Sequence, residues 1–291
     1  MKNKEKTPKI RKNHGFMKTM RDVFKTPSAK LGGILFALMV IGAVFAPLIA
    51  PYSPTQPDYM HVNSAPSALH IFGTDSLGRD IFSRLLYGAR YSLTLGIVAA
   101  VFGNACGVAV GSIAGFLGGR ADNFIMRLCD VWAAIPGTLL SILVSATLGP
   151  GFVNTVLALS VAGVPYGARM VRGMTLAERT KEYLEAAETI NCPKYRIIFS
   201  HLLPNVISPT LVSTTMAIGG TIANAAGLSY LGLGIQPPTP EWGAMLSEGM
   251  SVFRSYPHMM IFPGLTIGIC VLAINLMGDG VRDAMDPKLR D

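Results

Sequence analysis

The chain has 291 residues, enough for one or two globular domains, yet half of it is hydrophobic, only 14% is charged, and its mean hydropathy is +0.42. These values exclude an ordinary water-soluble domain and point to a polytopic membrane protein. Of the 25 Lys and Arg behind the net charge of +8, ten fall between Lys2 and Lys30, which reads as a cytoplasmic anchor before a first span and not as a nucleic-acid arm.

Residues 1–30 form that basic cytoplasmic tail, with no apolar periodicity that could build a core. Residues 31–50 follow as the first transmembrane helix. The run is too long for a signal-peptide core and lacks an A-x-A-like site, so it is retained as a span. Pro47 and Pro51 end it, and PYSPTQPDYMHVNSAPS reads as an extended, proline-punctuated segment outside.

Residues 51–90 make the extracytoplasmic segment. From Asp80 onward Ile81, Phe82, Leu85 and Leu86 share one helical face, with Arg79, Ser83, Arg84 and Arg90 elsewhere, the pattern of a short helix lying in the interface. Such a helix serves either as a plain lead-in to the next span or as a gating element. Residues 91–282 then form a five-helix core, and residues 283–291 a cytoplasmic C-terminal tail. In that core Ser92 to Gly119 carries no charge, and Gly96, Gly103, Gly107, Gly111 and Gly115 recur mostly at four-residue spacing. Small residues at this spacing let a second helix approach closely in lipid.

A third span is expected from about Asn123 to Leu148, with Arg127 and Asp130 near enough to pair. A fourth is expected from Phe152 to Val171. Pro204 to Gly234 forms the fifth, and it carries Ser213, Thr214, Thr215, Thr221 and Asn224, which must face protein or a cavity. They serve either to bond helix to helix or to line a substrate path. Trp242 suits the membrane interface, and the last span covers Tyr256 to Gly278. With six spans and the N-terminus inside, 21 Lys and Arg fall on the cytoplasmic side and four outside, so both termini are cytoplasmic.

No Gly-x-x-x-x-Gly-Lys-Ser/Thr phosphate loop, HExxH pair or Gly-x-Ser-x-Gly elbow is present, and Cys106, Cys129, Cys192 and Cys270 have neither metal-site nor disulfide spacing. The expectation is a non-catalytic chain with no metal and no cofactor of its own. A stand-alone proton-coupled carrier is the competing class, weakened because the deep parts of the spans offer no obvious Asp or Glu. Energy therefore has to come from a partner.

The stretch from Glu178 to Asn205 is where a partner would act. Good helix formers run from Glu178 to Ile190, and the small side chains of Ala186 and Ala187 allow another surface close to the backbone. Asn191, just before Cys192 and Pro193, predicts a helix end with a left-handed turn residue. A second helix is expected from Pro193, closed by Pro204.

EAAETINCPKYRIIFSHLLP resembles the EAA loop of ABC importer permeases, with Glu185, Ala186, Ala187, Leu203 and Pro204 matching. It departs at Asn191, where the family usually has Gly, and at His201, where the pattern has Ile. FGTDSLGRDIFSRLLYGARYSL, LSYLGLGIQPPTPEWGAMLSEG and NLMGDGVRDAMDPKLR are similar in order and spacing to the dipeptide, oligopeptide and nickel branch, over about residues 30–290. The resemblance implies an all-α type I importer permease fold with six transmembrane helices, in a prokaryotic cell membrane. It implies pairing with a second homologous permease, two cytoplasmic ABC ATPases that hold ATP and Mg, and an external solute-binding protein. The 178–205 elbow would be the coupling element. Peptides, glutathione, nickel and metal chelates are all cargo of related permeases.

Overall fold

The computed structural model describes residues 23, 24 and 26–285, in which helices and loops occur and no strand. Most of the basic tail, and the chain end from residue 286, lie outside the described residues.

Helix α1, Pro27–Val44, takes Pro27 in its first turn, where a missing N–H costs nothing. It packs antiparallel to the last helix: a side-chain carbon on Gly32 would meet the Ala273 carbonyl oxygen at 2.6 Å. Helix α2, Ile81–Leu117, begins at Asp80, whose carboxylate accepts from the Ser83 N–H at 2.7 Å. At about 1.5 Å per residue its 37 residues exceed the hydrocarbon thickness, so one helix supplies both the segment expected in the interface and the second span. No proline interrupts it. The side chains expected on its polar side, Arg79, Ser83 and Arg84, are buried, because an ion-pair network encloses the two arginines.

Gly118 and Gly119, at φ +64° and +56°, reverse the chain into α3, Gly119–Ala133. Helix α4, Gly137–Leu148, is bent 82° from α3. The expected straight third span is thus a broken one, since Pro136 disfavours helical geometry at Ile135 and removes an N–H. Asp130 pairs with Arg169 at 2.8 Å and not with Arg127, and Asp122 receives a two-pronged bond from Arg172 at 2.5 and 2.6 Å.

Helix α5, Phe152–Arg179, runs parallel to α2. The glycine series forms the seam: Gly103 lies against Ser160, Gly107 against Gly167 and Ala168, Gly111 against Val171, and Gly115 against Thr175, while Gly96 faces Ile222. The close approach expected from the glycine spacing is therefore met on two neighbouring helices. A short helix α6, Glu182–Thr189, follows. From Lys194 the backbone is continuously helical, through a wider π turn over Ile197–Leu202, into α7, Leu203–Tyr230. Pro204 therefore opens α7 and does not close the preceding helix, as the wider turn makes room for a ring without an N–H.

Helix α8, Trp242–Met250, and helix α9, His258–Met285, complete the described residues. Trp242 is buried under Gly88, and its indole N–H donates to the Leu85 carbonyl at 3.0 Å, so it is a packing residue and not an interface anchor. Among the described residues four helices are long and apolar enough to cross a membrane alone, and the bent α3–α4 pair, taken as one broken span, makes a fifth passage. Helix α5, more polar but aligned along α2, supplies the sixth. The bundle has two ends: one carries the loops before α2 with α8, the other carries α6 and the Val23, Ala29 and Ala284 cluster.

Candidate functional site

The elbow is built on one apolar contact. Leu184 and Ala187 of α6 are buried in a cluster with Phe116 at the end of α2, Val171 of α5, and Ile197, Leu202 and Val206 leading into α7. Helix α6 is only eight residues long and would not hold its shape alone, so this burial fixes it. Its C-terminus is closed by a complete left-handed turn. Asn191 has φ +53°, its N–H donates to the Glu188 carbonyl at 2.9 Å, and the Cys192 N–H donates to the Ala187 carbonyl at 3.0 Å. This is the paired-bond helix end that glycine normally provides, and Cys192 packs back onto the same cluster. The turn expected at Asn191 is present.

Tyr183 joins the two limbs. Its hydroxyl donates to Glu178 at 2.7 Å and accepts from the Asn205 amide at 3.0 Å. Burial, together with the neighbouring Glu178 carboxylate, pushes its pKa up to about 12, so it remains a donor at neutral pH.

The two alanines of the motif part ways. Ala187 faces the protein, whereas Ala186 and Glu185 face outward. Leu203 is half-buried and Pro204 exposed. Sequence reasoning missed as site residues three exposed side chains of the elbow: Ile190, Tyr195 and Phe199 are 78%, 66% and 68% exposed. The available signal was their apolar character inside a charged stretch at the cytoplasmic end.

A groove runs along the faces of α2, α5 and α7. One cavity of about 280 Å³ is lined by Asn104, Tyr166, Ser213, Ala217 and Thr221, and a second of about 340 Å³ by Thr138, Ser141, Thr221 and Asn224. Leu159, Gly163 and Thr221 belong to both, so the two form one strip. Of the residues expected on a substrate path, Ser213, Thr221 and Asn224 lie on this strip. Thr214 and Thr215 line neither cavity. The hydroxyls do not bridge helices. Thr214, Thr215 and Thr221 each donate to the carbonyl four residues back, and Ser213 to the one three back, all at 2.8 to 2.9 Å.

At the opposite end Asp75 accepts from Arg79 at 2.7 Å and from Arg84. Glu248 of α8 accepts from the same two arginines at 3.0 and 2.7 Å. Two carboxylates and two buried guanidiniums thereby lock the loop before α2 to α8. Nothing in the helical periodicity announced the link to α8, because Glu248 is more than 160 residues from either arginine.

The family model described as binding-protein-dependent transport system inner membrane component matches residues 107–291. The model for the N-terminal transmembrane domain of oligopeptide transport permease C matches residues 16–66. The chain is 46% identical over 263 residues to the glutathione transport system permease protein GsiD of Pectobacterium atrosepticum, a match covering 90% of this chain and 87% of that one. The GsiD protein of Escherichia coli O6:K15:H31 matches over the same length at the same identity. Among solved structures, an inward-facing MetNI methionine ABC transporter aligns with a TM-score of 0.56 at 19% identity, covering 70% of this chain and 97% of that one, a likeness of fold alone.

Proposed function

The chain belongs to the family of binding-protein-dependent transport system inner membrane components, and from that premise we propose how its parts divide the work of import. It is a membrane permease subunit of an ATP-driven importer, and it does not itself catalyse hydrolysis. The 178–205 elbow docks on an ATPase subunit through Glu185, Ala186, Leu203 and Pro204, with Ile190, Tyr195 and Phe199 adding apolar surface. Ala187 and Asn191 act from within, holding the helix and its turn in shape. One observation carries this reading: α6 is anchored inward by Leu184 and Ala187, while its outward side and the limb after it expose large apolar side chains at the cytoplasmic end.

Two ATPases would be needed, with a second permease closing the open side of the groove and a solute-binding protein delivering cargo to the outer face. ATP and Mg belong to the ATPases. The path is the strip through Ser213, Thr221 and Asn224, and its uncharged hydrogen-bonding lining suits a short peptide. Glutathione is the cargo to test first, because it is named in the relatives that are 46% identical to this chain over 263 residues. Nickel or a metal chelate is the second reading within the same family.

The test is reconstitution of the chain with its partner subunits in vesicles. Glutathione, dipeptides and nickel are offered in turn, with and without ATP. ATP-dependent uptake of glutathione or dipeptide is expected. Glu185→Ala and Ala186→Trp should abolish uptake and substrate-stimulated hydrolysis while the subunit stays in the membrane. Normal uptake by those variants removes the coupling assignment, and uptake by the chain alone without ATP favours the stand-alone carrier.

A further inference from the structure

Three segments distant in helical register meet at the outer end, and they bring together ligands that no spacing motif announces. Asp58 caps the single turn Tyr59–His61 by accepting from the Met60 N–H at 3.0 Å, and its other carboxylate oxygen lies 2.7 Å from His61 Nδ1. His70 is only 3% exposed, and its Nδ1 lies 3.0 Å from Asp80 Oδ1. With Nδ1–H donating to that carboxylate, Nε2 carries the lone pair, and it is buried with no hydrogen-bond partner. One ligand atom each from Asp58, His61 and His70 lies within 4.8 Å of the others.

A buried imidazole nitrogen without a partner is costly. One whose ring is oriented by a carboxylate through its other nitrogen, in a residue grouped with a second histidine and a carboxylate, is the arrangement metal-binding histidines use. The segments are also held in place before any ion arrives. The Asp58 N–H donates to the Leu77 carbonyl at 3.1 Å, and Gly78 lies so close to the Asp58 carbonyl that no side chain fits there. The buried Thr74 hydroxyl donates to the His61 carbonyl. Asp80, besides orienting His70, caps α2. His70 is thus fixed, while the His61 and Asp58 side chains, 42% and 45% exposed, can rotate inward. Ligands sharing one ion at bonds of about 2.0–2.2 Å sit roughly 3–3.5 Å apart, so a small rotation closes the set.

We propose that Asp58, His61 and His70 form a divalent transition-metal site on the extracytoplasmic face, oriented by Asp80, which clamps residues 58–80 onto the start of α2. Two imidazoles and one carboxylate suit zinc and its neighbours better than calcium or magnesium, which prefer all-oxygen sets. Three protein ligands leave a fourth position, next to a cavity of about 330 Å³ lined by Tyr52, Gln56 and Asp80. The site is separate from the elbow and the groove, so it stands or falls independently of the coupling assignment.

The test uses the full chain, purified without a histidine tag, stripped with chelator and titrated with Zn²⁺ by calorimetry, then with Co²⁺ for the absorption bands of a tetrahedral ion. One equivalent per chain is expected. His61→Ala and Asp58→Asn should weaken binding about tenfold or more, and Asp80→Asn by about 10–100-fold. His201→Ala, at the opposite end, should bind like the parent. His61 is half exposed, so His61→Ala should unfold at the parent's temperature without metal and lose only the rise that Zn²⁺ gives the parent. Absence of a stoichiometric site, or a site that His61→Ala leaves intact, overturns the proposal.

Discussion

Replacing Gly111 by alanine adds one methyl group at the tightest point between α2 and α5. The new carbon would lie 2.9 Å from Val171 Cβ and 3.0 Å from the Arg172 nitrogen, with the Ala168 carbonyl oxygen nearer still, whereas ordinary contact begins at 3.4 Å. Two of these three neighbours are backbone, so no side-chain rotation relieves the clash and α5 has to move outward. A side-chain carbon on Gly107 would lie 3.0 Å from backbone atoms of Gly167 and Ala168, and one on Gly103 would lie 3.0 Å from the Ser160 carbonyl oxygen, so the displacement opens a seam that is close along its length. Overpacking of this kind costs about 1–3 kcal/mol. Alanine's better helix propensity returns at most about 1 kcal/mol. In lipid no water-driven force recloses the gap. The unfolding temperature should fall by roughly 2–4 °C per kcal/mol lost. The matched control is Gly173→Ala on exposed α5 surface, where nothing lies within 4 Å of the added carbon and stability should hold or rise. Both are read by thermal unfolding in detergent, followed through labelling of the buried Cys129 and Cys270 by a thiol-reactive dye. Equal stability of the two variants would refute the assignment of the glycine series to helix approach.

Other perturbations test the remaining parts. Asn191→Gly should leave the elbow intact, because glycine accepts φ +53° more readily, whereas Asn191→Val should cost about 1–2 kcal/mol and lower stimulated ATP hydrolysis at unchanged membrane abundance; equal behaviour of the two variants counts against the turn. Glu248→Ala strands two buried guanidiniums on Asp75 alone. The loss of about 3–5 kcal/mol typical of a broken buried pair should be reduced here, since Glu248 is 23% exposed, and Glu248→Gln should lose less; abundance and unfolding temperature measure both. Ala217→Phe should fill the cavity beside Ser213 and Thr221 and stop uptake while basal ATP hydrolysis continues, and unimpaired uptake would move the path elsewhere.

What could be read before folding was local or cumulative. Charge asymmetry placed the elbow on the cytoplasmic side, the glycine spacing marked α2 as a packed helix, and Asn191 before Cys192 and Pro193 marked a left-handed helix end. Each is a statement about neighbours along the chain, which periodicity and backbone sterics govern. The readings that failed concern neighbours across it. Arg79 and Arg84 were placed off the apolar face by helical position, as on a helix lying in the interface, and they are buried because Asp75 and Glu248 meet them there. Asp130 was matched with Arg127 one turn away, and the fold offers Arg169 instead.

The sequence by itself determined a membrane chain of six passages with a charged elbow inside, since hydropathy, charge counts and backbone-specific residues are summed or local properties. Only the tertiary structure decided which alanine of the pair faces outward, which hydroxyls line the groove, and that Asp58, His61 and His70 come within 4.8 Å of one another. Those are matters of rotation about helix axes and of loops folding back on one another, set by packing between segments far apart in the chain and written in no single stretch of it.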